Sequence, residues 1–163
     1  MSAEPIASVS DGDEEVIELV IPPRPDVVSV ARLVVGAAVA MDPAFDEERS
    51  ADLRLAASEA CTNAIEAQLA RRTGHDDSRS IILRCSLGRE RIVMTVQDHG
   101  GGFDPDALVA HPEVTDPARL DHEDGLGIPL IRLLSDELEF RDSPGGTTVV
   151  MTFGPRPTTG RIG

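Results

Sequence analysis

The sequence contains no lysine, since all 15 basic residues are arginine. A phosphate-binding loop of the Walker A type needs a lysine that reaches the phosphates, and the eukaryotic-type protein kinase fold needs one beside its nucleotide. Schiff-base catalysis through a lysine amine is excluded for the same reason. The missing residue type therefore rules out two large classes of phosphate-handling protein and one class of covalent enzyme.

Tryptophan and tyrosine are also absent, and the chain has only 4 phenylalanines. Proteins that bind single-stranded nucleic acid usually stack bases on several aromatic rings, which this chain cannot supply. The formal net charge of -14 adds electrostatic repulsion from phosphate backbones. We therefore expect no direct binding of nucleic acid.

Cysteine and long apolar runs are scarce. The two cysteines, Cys61 and Cys85, are too few for a disulfide framework, so we expect buried, reduced thiols. The longest apolar run, residues 33–41, is too short to cross a bilayer, and the acidic N-terminus lacks the apolar core of a signal peptide. These features predict a cytoplasmic protein without a membrane partner.

The length of 163 residues is typical of one domain with its own core. We predict a domain over residues 14–154, a disordered acidic tail over 1–13 and a second disordered tail over 155–163. Apolar periodicity and turn residues divide the domain into strands and helices. The predicted strands are 16–21, 81–87, 92–96, 138–141 and 147–153, and the predicted helices are 25–41, 45–72 and 128–134.

The long predicted helix carries the segment SEACTNAI, residues 58–65. Glu59 and Asn63 are four positions apart, which places them on one face, one turn from each other. A carboxylate and an amide oxygen over apolar neighbours suit a hard cation and an activated hydroxyl or water. Taken alone, the pair also fits an ordinary polar face of an amphipathic helix.

Three glycine-containing segments are the other candidates. Asp98 ends a strand directly before the glycines at 100–102, so it offers a fixed acceptor to the amine of a planar base. Gly125-Leu126-Gly127 opens a helix whose N-terminal amides suit an anion. The segment GGTT at 145–148 begins the last strand. Individually these segments also fit a strand exit, a helix cap and a hairpin turn.

In this order and spacing the segments resemble the GHKL ATPase superfamily, whose members share the Bergerat fold. Within it the chain is most similar to the stand-alone anti-sigma factor serine kinases of the RsbW and SpoIIAB type. SEACTNAI resembles the N box of that family, and DHGGGF at 98–103 resembles its first glycine box. GLGIPLIRLLSDELEF at 125–140 and GGTTVVMTF at 145–153 resemble its second glycine box and final strand.

The resemblance implies a two-layer α+β sandwich, with a mixed, mainly antiparallel sheet covered by helices on one face. It implies that Glu59 is the general base and that Asn63 is a ligand of the Mg²⁺ that accompanies ATP. It further implies that Asp98 accepts a hydrogen bond from the adenine amine, with Thr147 beside the base.

The glycines acquire roles from the same resemblance. Gly100 and Gly102 would give the nucleotide room, and Gly125 and Gly127, with Leu126 between them, would form the hinge of a lid over the phosphates. The lid itself would be residues 104–124, which are rich in acids and contain a single arginine, Arg119. Such a segment would repel a triphosphate unless Mg²⁺ screens it or it points outward, and we favour a third role, gripping a partner.

The implied function is phosphorylation of a serine or threonine on a STAS-domain anti-anti-sigma protein, coupled to sequestration of an alternative sigma factor by a homodimer. Alternatives remain at this point. The chain could bind ATP as a regulatory module without phosphorylating anything, or it could be a histidine-kinase-like catalytic fragment. A GHKL hydrolase is disfavoured because such chains are longer.

Overall fold

The computed structural model describes residues 14–70, 79–100, 126–143 and 145–157. Several predictions fall outside the described residues: those for Gly102, Gly125 and the acidic segment 104–124, and those for the terminal segments 1–13 and 158–163. The other predicted site residues all belong to the described part of the chain.

The described chain forms five strands and three α-helices in the predicted order. The strands are β1 (Glu15–Ile21), β2 (Ile81–Gly88), β3 (Arg91–Gln97), β4 (Glu137–Ser143) and β5 (Gly146–Phe153). The helices are α1 (Val28–Val39), preceded by a 3-10 turn at Pro25–Val27, α2 (Glu47–Ala70) and α3 (Gly127–Leu134). The chain continues past β5, where Arg156 donates hydrogen bonds to the carboxylates of Glu48 and Asp52.

Helix starts are set by local chemistry that shifts them slightly from the predicted positions. The α2 helix begins at Glu47 and not at Phe45, because the Asp46 carboxylate accepts a hydrogen bond from the Arg49 backbone N–H at 2.7 Å. This is the geometry of an N-cap, which satisfies one of the free amides of the first turn.

The sheet has the order β1-β2-β3-β5-β4, and each neighbouring pair is antiparallel. The predicted α+β sandwich is thus confirmed, although the described pairings include no parallel member of the expected mixed sheet. Residues on one face of the sheet align across the strands, as in the row Cys85, Met94 and Met151. These side chains are buried, and the helices cover this face.

The α2 helix is central to the core. Its buried stripe includes Leu53, Ala56, Ala60 and Ala64, as the three- and four-residue spacing predicts. The expected next member, Ala67, is exposed among the described residues, and its backbone lies against Gly100 in the turn after β3. The small residues of the stripe let α2 lie close to the sheet.

Both cysteines are free and buried, as expected. Burial, with a smaller contribution from Cys85, raises the pKa of the Cys61 thiol to about 12, and burial raises the pKa of Cys85 to about 11. The thiols are therefore protonated and unreactive in the folded chain. Within the four described stretches, no helix has the length and apolar character that a membrane span requires.

Candidate functional site

The α2 helix presents Glu59 and Asn63 toward the start of α3. Both side chains are half-buried, while their neighbours Ala60 and Ala64 are packed into the core. The hydrophobic stripe therefore fixes which way the two polar groups point. Both face Gly127, the first residue of α3.

Gly127 is in close contact with both polar side chains. A Cβ atom added there would lie 2.8 Å from Nδ2 of Asn63, 2.9 Å from Oδ1 of Asn63 and 3.2 Å from Oε2 of Glu59. Gly127 has no side chain to occupy this space, so the backbone at the start of α3 rests directly on the pair. Glu59 and Asn63, which the spacing argument placed on one helix face, thus meet a segment that is distant in sequence.

Asp98 lies at the end of β3 and is 6% exposed. Its Oδ1 accepts a hydrogen bond from the Gly100 backbone N–H at 2.8 Å, and its own N–H donates to the Thr147 carbonyl at 2.9 Å. Burial raises the pKa of the Asp98 carboxyl above its ordinary value, although the backbone hydrogen bonds from Gly100 and Thr147 and the nearby His99 oppose this. A carboxyl in this setting is a strong acceptor for an incoming donor.

Thr147 adds a second buried polar group beside Asp98. It is 3% exposed, and its Oγ1 has no hydrogen-bond partner among the described residues. A buried hydroxyl without a partner is costly, and such groups are commonly satisfied by a ligand or by water. Asp98 and Thr147 are therefore two neighbouring buried polar groups that can exchange hydrogen bonds with a ligand.

Gly146 makes this pairing possible. A Cβ atom at Gly146 would lie 1.8 Å from the Asp98 carbonyl oxygen, so any side chain there would prevent the start of β5 from lying against the end of β3. The sequence suggested only a hairpin turn at this position. The glycine pair before the last strand was the available signal in the sequence, but it does not identify Asp98 as the residue that the backbone at Gly146 contacts.

Gly100 has a packing role that the sequence did not suggest. A Cβ atom at Gly100 would lie 2.8 Å from the backbone C and O atoms of Ala67 in α2. Gln68, also on α2, accepts a hydrogen bond from the His99 N–H at 3.2 Å and donates to the Arg79 carbonyl. The turn after β3 is thus held on α2, and the proposed space for a nucleotide at Gly100 remains a prediction.

The described site residues form two groups along one helix. Glu59 and Asn63 meet Gly127, with the exposed Leu126 just before it, and Gly100, which donates a hydrogen bond to Asp98, meets Ala67 on the next turn of α2. Glycines 102 and 125 are outside the described residues.

The residues fit a nucleotide better than a protein-bound metal cluster. In the part of the chain that the structure describes, no group of three or more His, Cys, Asp or Glu residues could hold a metal ion. Asn63 would therefore share a cation with oxygens that a ligand brings. The Thr147 hydroxyl, which has no hydrogen-bond partner among the described residues, and the side-chain-free backbone at Gly127 are the features that a ligand could contact at the two ends.

A two-layer α+β sandwich with a buried carboxyl at a strand end and a polar pair on one helix is the arrangement expected of a nucleotide-binding domain. Comparison with known proteins agrees. The family profile of the histidine kinase-like ATPase domain matches residues 21–153. The serine-protein kinase RsbW of Bacillus pumilus is 33% identical over 144 residues, covering 85% of each chain. RsbW of Bacillus subtilis is 33% identical over 140 residues, covering 83% of each chain.

The chain therefore belongs to the histidine kinase-like ATPase family and, within it, to the RsbW serine-protein kinases. As a member it is classed as an ATP-dependent serine/threonine protein kinase. The crystal structure of the RsbU and RsbW domains of a Mycobacterium tuberculosis protein superimposes with a TM-score of 0.61 at 19% identity. This match covers 86% of the present chain and 32% of that longer chain, and it supports the fold.

Proposed function

We propose that the chain transfers the γ-phosphoryl group of ATP to a serine or threonine of a small STAS-domain anti-anti-sigma protein. We further propose that it sequesters an alternative sigma factor, and that the unphosphorylated STAS protein and the sigma factor compete for it. The observation that carries the proposal is the contact of Gly127 with both Glu59 and Asn63. The RsbW relatives support the choice of a protein hydroxyl as acceptor.

The base of the nucleotide would be recognised at the Asp98 end. Its carboxylate would accept a hydrogen bond from the adenine amine, and the Thr147 hydroxyl would gain a partner that the described residues do not provide. GTP presents a carbonyl in place of that amine, so two acceptors would face each other. A site that leaves a buried acceptor unpaired discriminates strongly against such an analogue.

The phosphate end would lie at Asn63 and at the start of α3. The Asn63 side-chain oxygen suits Mg²⁺, which prefers few protein ligands and completes its shell with phosphate oxygens and water. When bound, Mg²⁺ neutralises charge on the phosphates as the phosphoryl group leaves. The backbone at Gly127 can come close to the phosphates because it carries no side chain.

Glu59 would act as the general base. The acceptor oxygen forms a bond to the γ-phosphorus, the bond between that phosphorus and the bridging oxygen breaks, and ADP leaves with that electron pair. The hydroxyl proton passes to the Glu59 carboxylate. Glu59 lies one turn from the proposed metal ligand and is half-buried, so it is available for the proton without holding the nucleotide.

The test uses the purified chain with Mg²⁺, γ-labelled ATP and candidate STAS-domain proteins. We expect label on the STAS protein with the wild type, and a rate at least about a hundredfold lower with Glu59→Gln, because general-base help is worth typically ~10²–10⁴-fold. ATP affinity of the variant should stay near that of the wild type. Glu66→Gln is the matched control, since it makes the same change on an exposed part of α2.

Equal rates for the wild type and Glu59→Gln would show that Glu59 is not the base. If neither protein labels any STAS partner while both still bind ATP, the chain is a regulatory ATP-binding module. We also propose that the chain forms a homodimer. The molar mass of the protein in solution tests this separately.

A further inference from the structure

Arg49 is a buried cation at the end of α2 that is remote from Glu59 and Asn63. It lies in the first turn of the helix and is 3% exposed. Ten residues separate it from Glu59, which corresponds to about 15 Å along the helix axis. Arginine is rarely buried to this degree unless its N–H donors are hydrogen-bonded and its charge is paired. The groups that contact Arg49 therefore indicate its role.

Two of these contacts are hydrogen bonds to backbone carbonyls. Nη1 of Arg49 donates to the carbonyl of Leu134, the last residue of α3, at 2.8 Å. Nε donates to the carbonyl of Gly154, just after β5, at 2.8 Å. The carbonyls of a last helical turn have no partner within their helix, and a cation there also interacts favourably with the helix dipole.

The remaining contacts balance the charge. Nη2 of Arg49 lies 2.8 Å from Oδ1 of Asp136, Nη1 lies 3.2 Å from Oδ2 of Asp52, and the guanidinium carbon is 5.2 Å from the centre of the Phe153 ring. The planar, branched guanidinium can donate to the two carbonyls and the two carboxylates at the same time. A lysine ammonium is a single point donor and cannot bridge the two carbonyls in the same way.

The α3 helix connects the contacts of Arg49 at its C-terminal end to Glu59 and Asn63 at its N-terminal end. It has eight residues, of which only Gly127 and Ile131 are buried, and its N-cap residue Leu126 makes no side-chain cap hydrogen bond. The helix packs on α2 and the core through Ile131, with Leu134 partly buried against the same core, and the contact with Arg49 is added at its C-terminal end. Arg49 holds its last carbonyl, while its first residue, Gly127, rests on Asn63 and Glu59.

We propose that Arg49 is a positioning residue for phosphoryl transfer. It fixes the C-terminal end of α3 on α2 and so keeps Gly127 seated against Asn63 and Glu59 at the opposite end. The kinetic part of this inference rests on the proposed function. Misplacement of reacting groups by about 1 Å can lower a rate by about a hundredfold, so a loosened α3 should affect turnover more than ATP binding at the Asp98 end.

The experiment compares Arg49→Met and Arg49→Lys with Arg156→Met. Arg156 is the matched control, because it also pairs with Asp52 but is 42% exposed and makes no contact with α3 in the described hydrogen-bond and ion-pair network. Three quantities are measured under conditions in which each protein is folded: turnover, the KM for ATP, and hydrogen exchange of the peptide spanning 127–134. Exchange of the β2–β3 hairpin, residues 81–97, reports global stability.

For Arg49→Met we expect turnover to fall at least about tenfold, the KM for ATP to change less than about threefold, and exchange at 127–134 to rise well above that at 81–97. In these three measurements Arg49→Lys should resemble Arg49→Met more than the wild type. If Arg49→Met does not fold, the same changes are expected for Arg49→Lys, which then replaces it in the test. Arg156→Met should match the wild type in all three measurements.

Unchanged turnover and unchanged exchange at 127–134 would overturn the inference. A parallel rise in exchange at 127–134 and 81–97 would also overturn it, because Arg49 would then support overall stability only. If the wild type phosphorylates no STAS protein, the proposed function fails by itself. Selective exchange at 127–134 would still support the positioning of α3 by Arg49 in that case, and its absence would refute it.

Discussion

Gly127→Ala is a substitution for which the structure predicts little change in the stability of the fold but a large loss of function. Alanine favours a helix over glycine by up to about 1 kcal/mol in an interior position, and less in the first turn. Its Cβ would meet the Asn63 amide at 2.8 Å, which is closer than a Cβ atom can lie to it. The amide must therefore move.

The movement costs little stability but removes a proposed ligand. Asn63 is half-buried, and its amide is the end of a side chain with two rotatable bonds, so it can turn toward solvent. We expect the free energy of unfolding to change by less than about 1 kcal/mol. A lost contact to a charged group is worth about 1.5–3 kcal/mol, and about 1.4 kcal/mol corresponds to a factor of ten in affinity. Binding of ATP with Mg²⁺ should therefore weaken at least about tenfold.

The assay is calorimetric titration with ATP, with and without Mg²⁺, beside thermal unfolding of the same samples. Gly36→Ala is the matched control: it is also a helical glycine, and its Cβ would meet the flexible Arg54 side chain at 3.0 Å, away from the site. The control should bind ATP as the wild type does. If Gly127→Ala retains the full Mg²⁺-dependent tightening, the start of α3 does not constrain Asn63 as the geometry indicates.

Two further substitutions test the ends of the proposed site. Asn63→Ala should abolish the Mg²⁺-dependent gain in ATP affinity while leaving the fold intact, since alanine is favourable on a helix face; calorimetry with and without Mg²⁺ checks this, and normal tightening would contradict it. Asp98→Ala should weaken ATP binding about tenfold or more, because the adenine amine loses its acceptor. In parallel titrations the wild type should prefer ATP over GTP, and equal affinities would argue against Asp98 as the base contact.

Much of the fold could be predicted from the sequence because the signals are local. Alternation in residues 81–97 gives a hairpin with one buried face, and the spacing of Leu53, Ala56 and Ala60 gives the buried stripe of α2. The same periodicity placed Glu59 and Asn63 on one face. These features depend on the repeat of a helix or a strand and not on distant partners.

The remaining features depend on contacts between distant segments. The need for glycine at 146 follows from the pairing of β3 with β5, which brings its backbone against the Asp98 carbonyl. Arg49, placed among acids at the start of a helix, would ordinarily be interpreted as a solvated surface residue. It is buried because Leu134, Gly154 and Asp136 converge on it, and none of these is near it in sequence.

The Asp98 end of the site reduces the stability of the free protein. Because burial raises the pKa of the Asp98 carboxyl, the folded chain binds its proton more readily than the unfolded chain does. This group therefore makes folding less favourable as pH rises from below the ordinary carboxyl pKa through the raised folded-state pKa. The Thr147 hydroxyl, which has no hydrogen-bond partner among the described residues, adds a second cost. A ligand that donates to Asp98 and pairs with Thr147 would relieve both, so binding and folding stability are linked through the same two side chains.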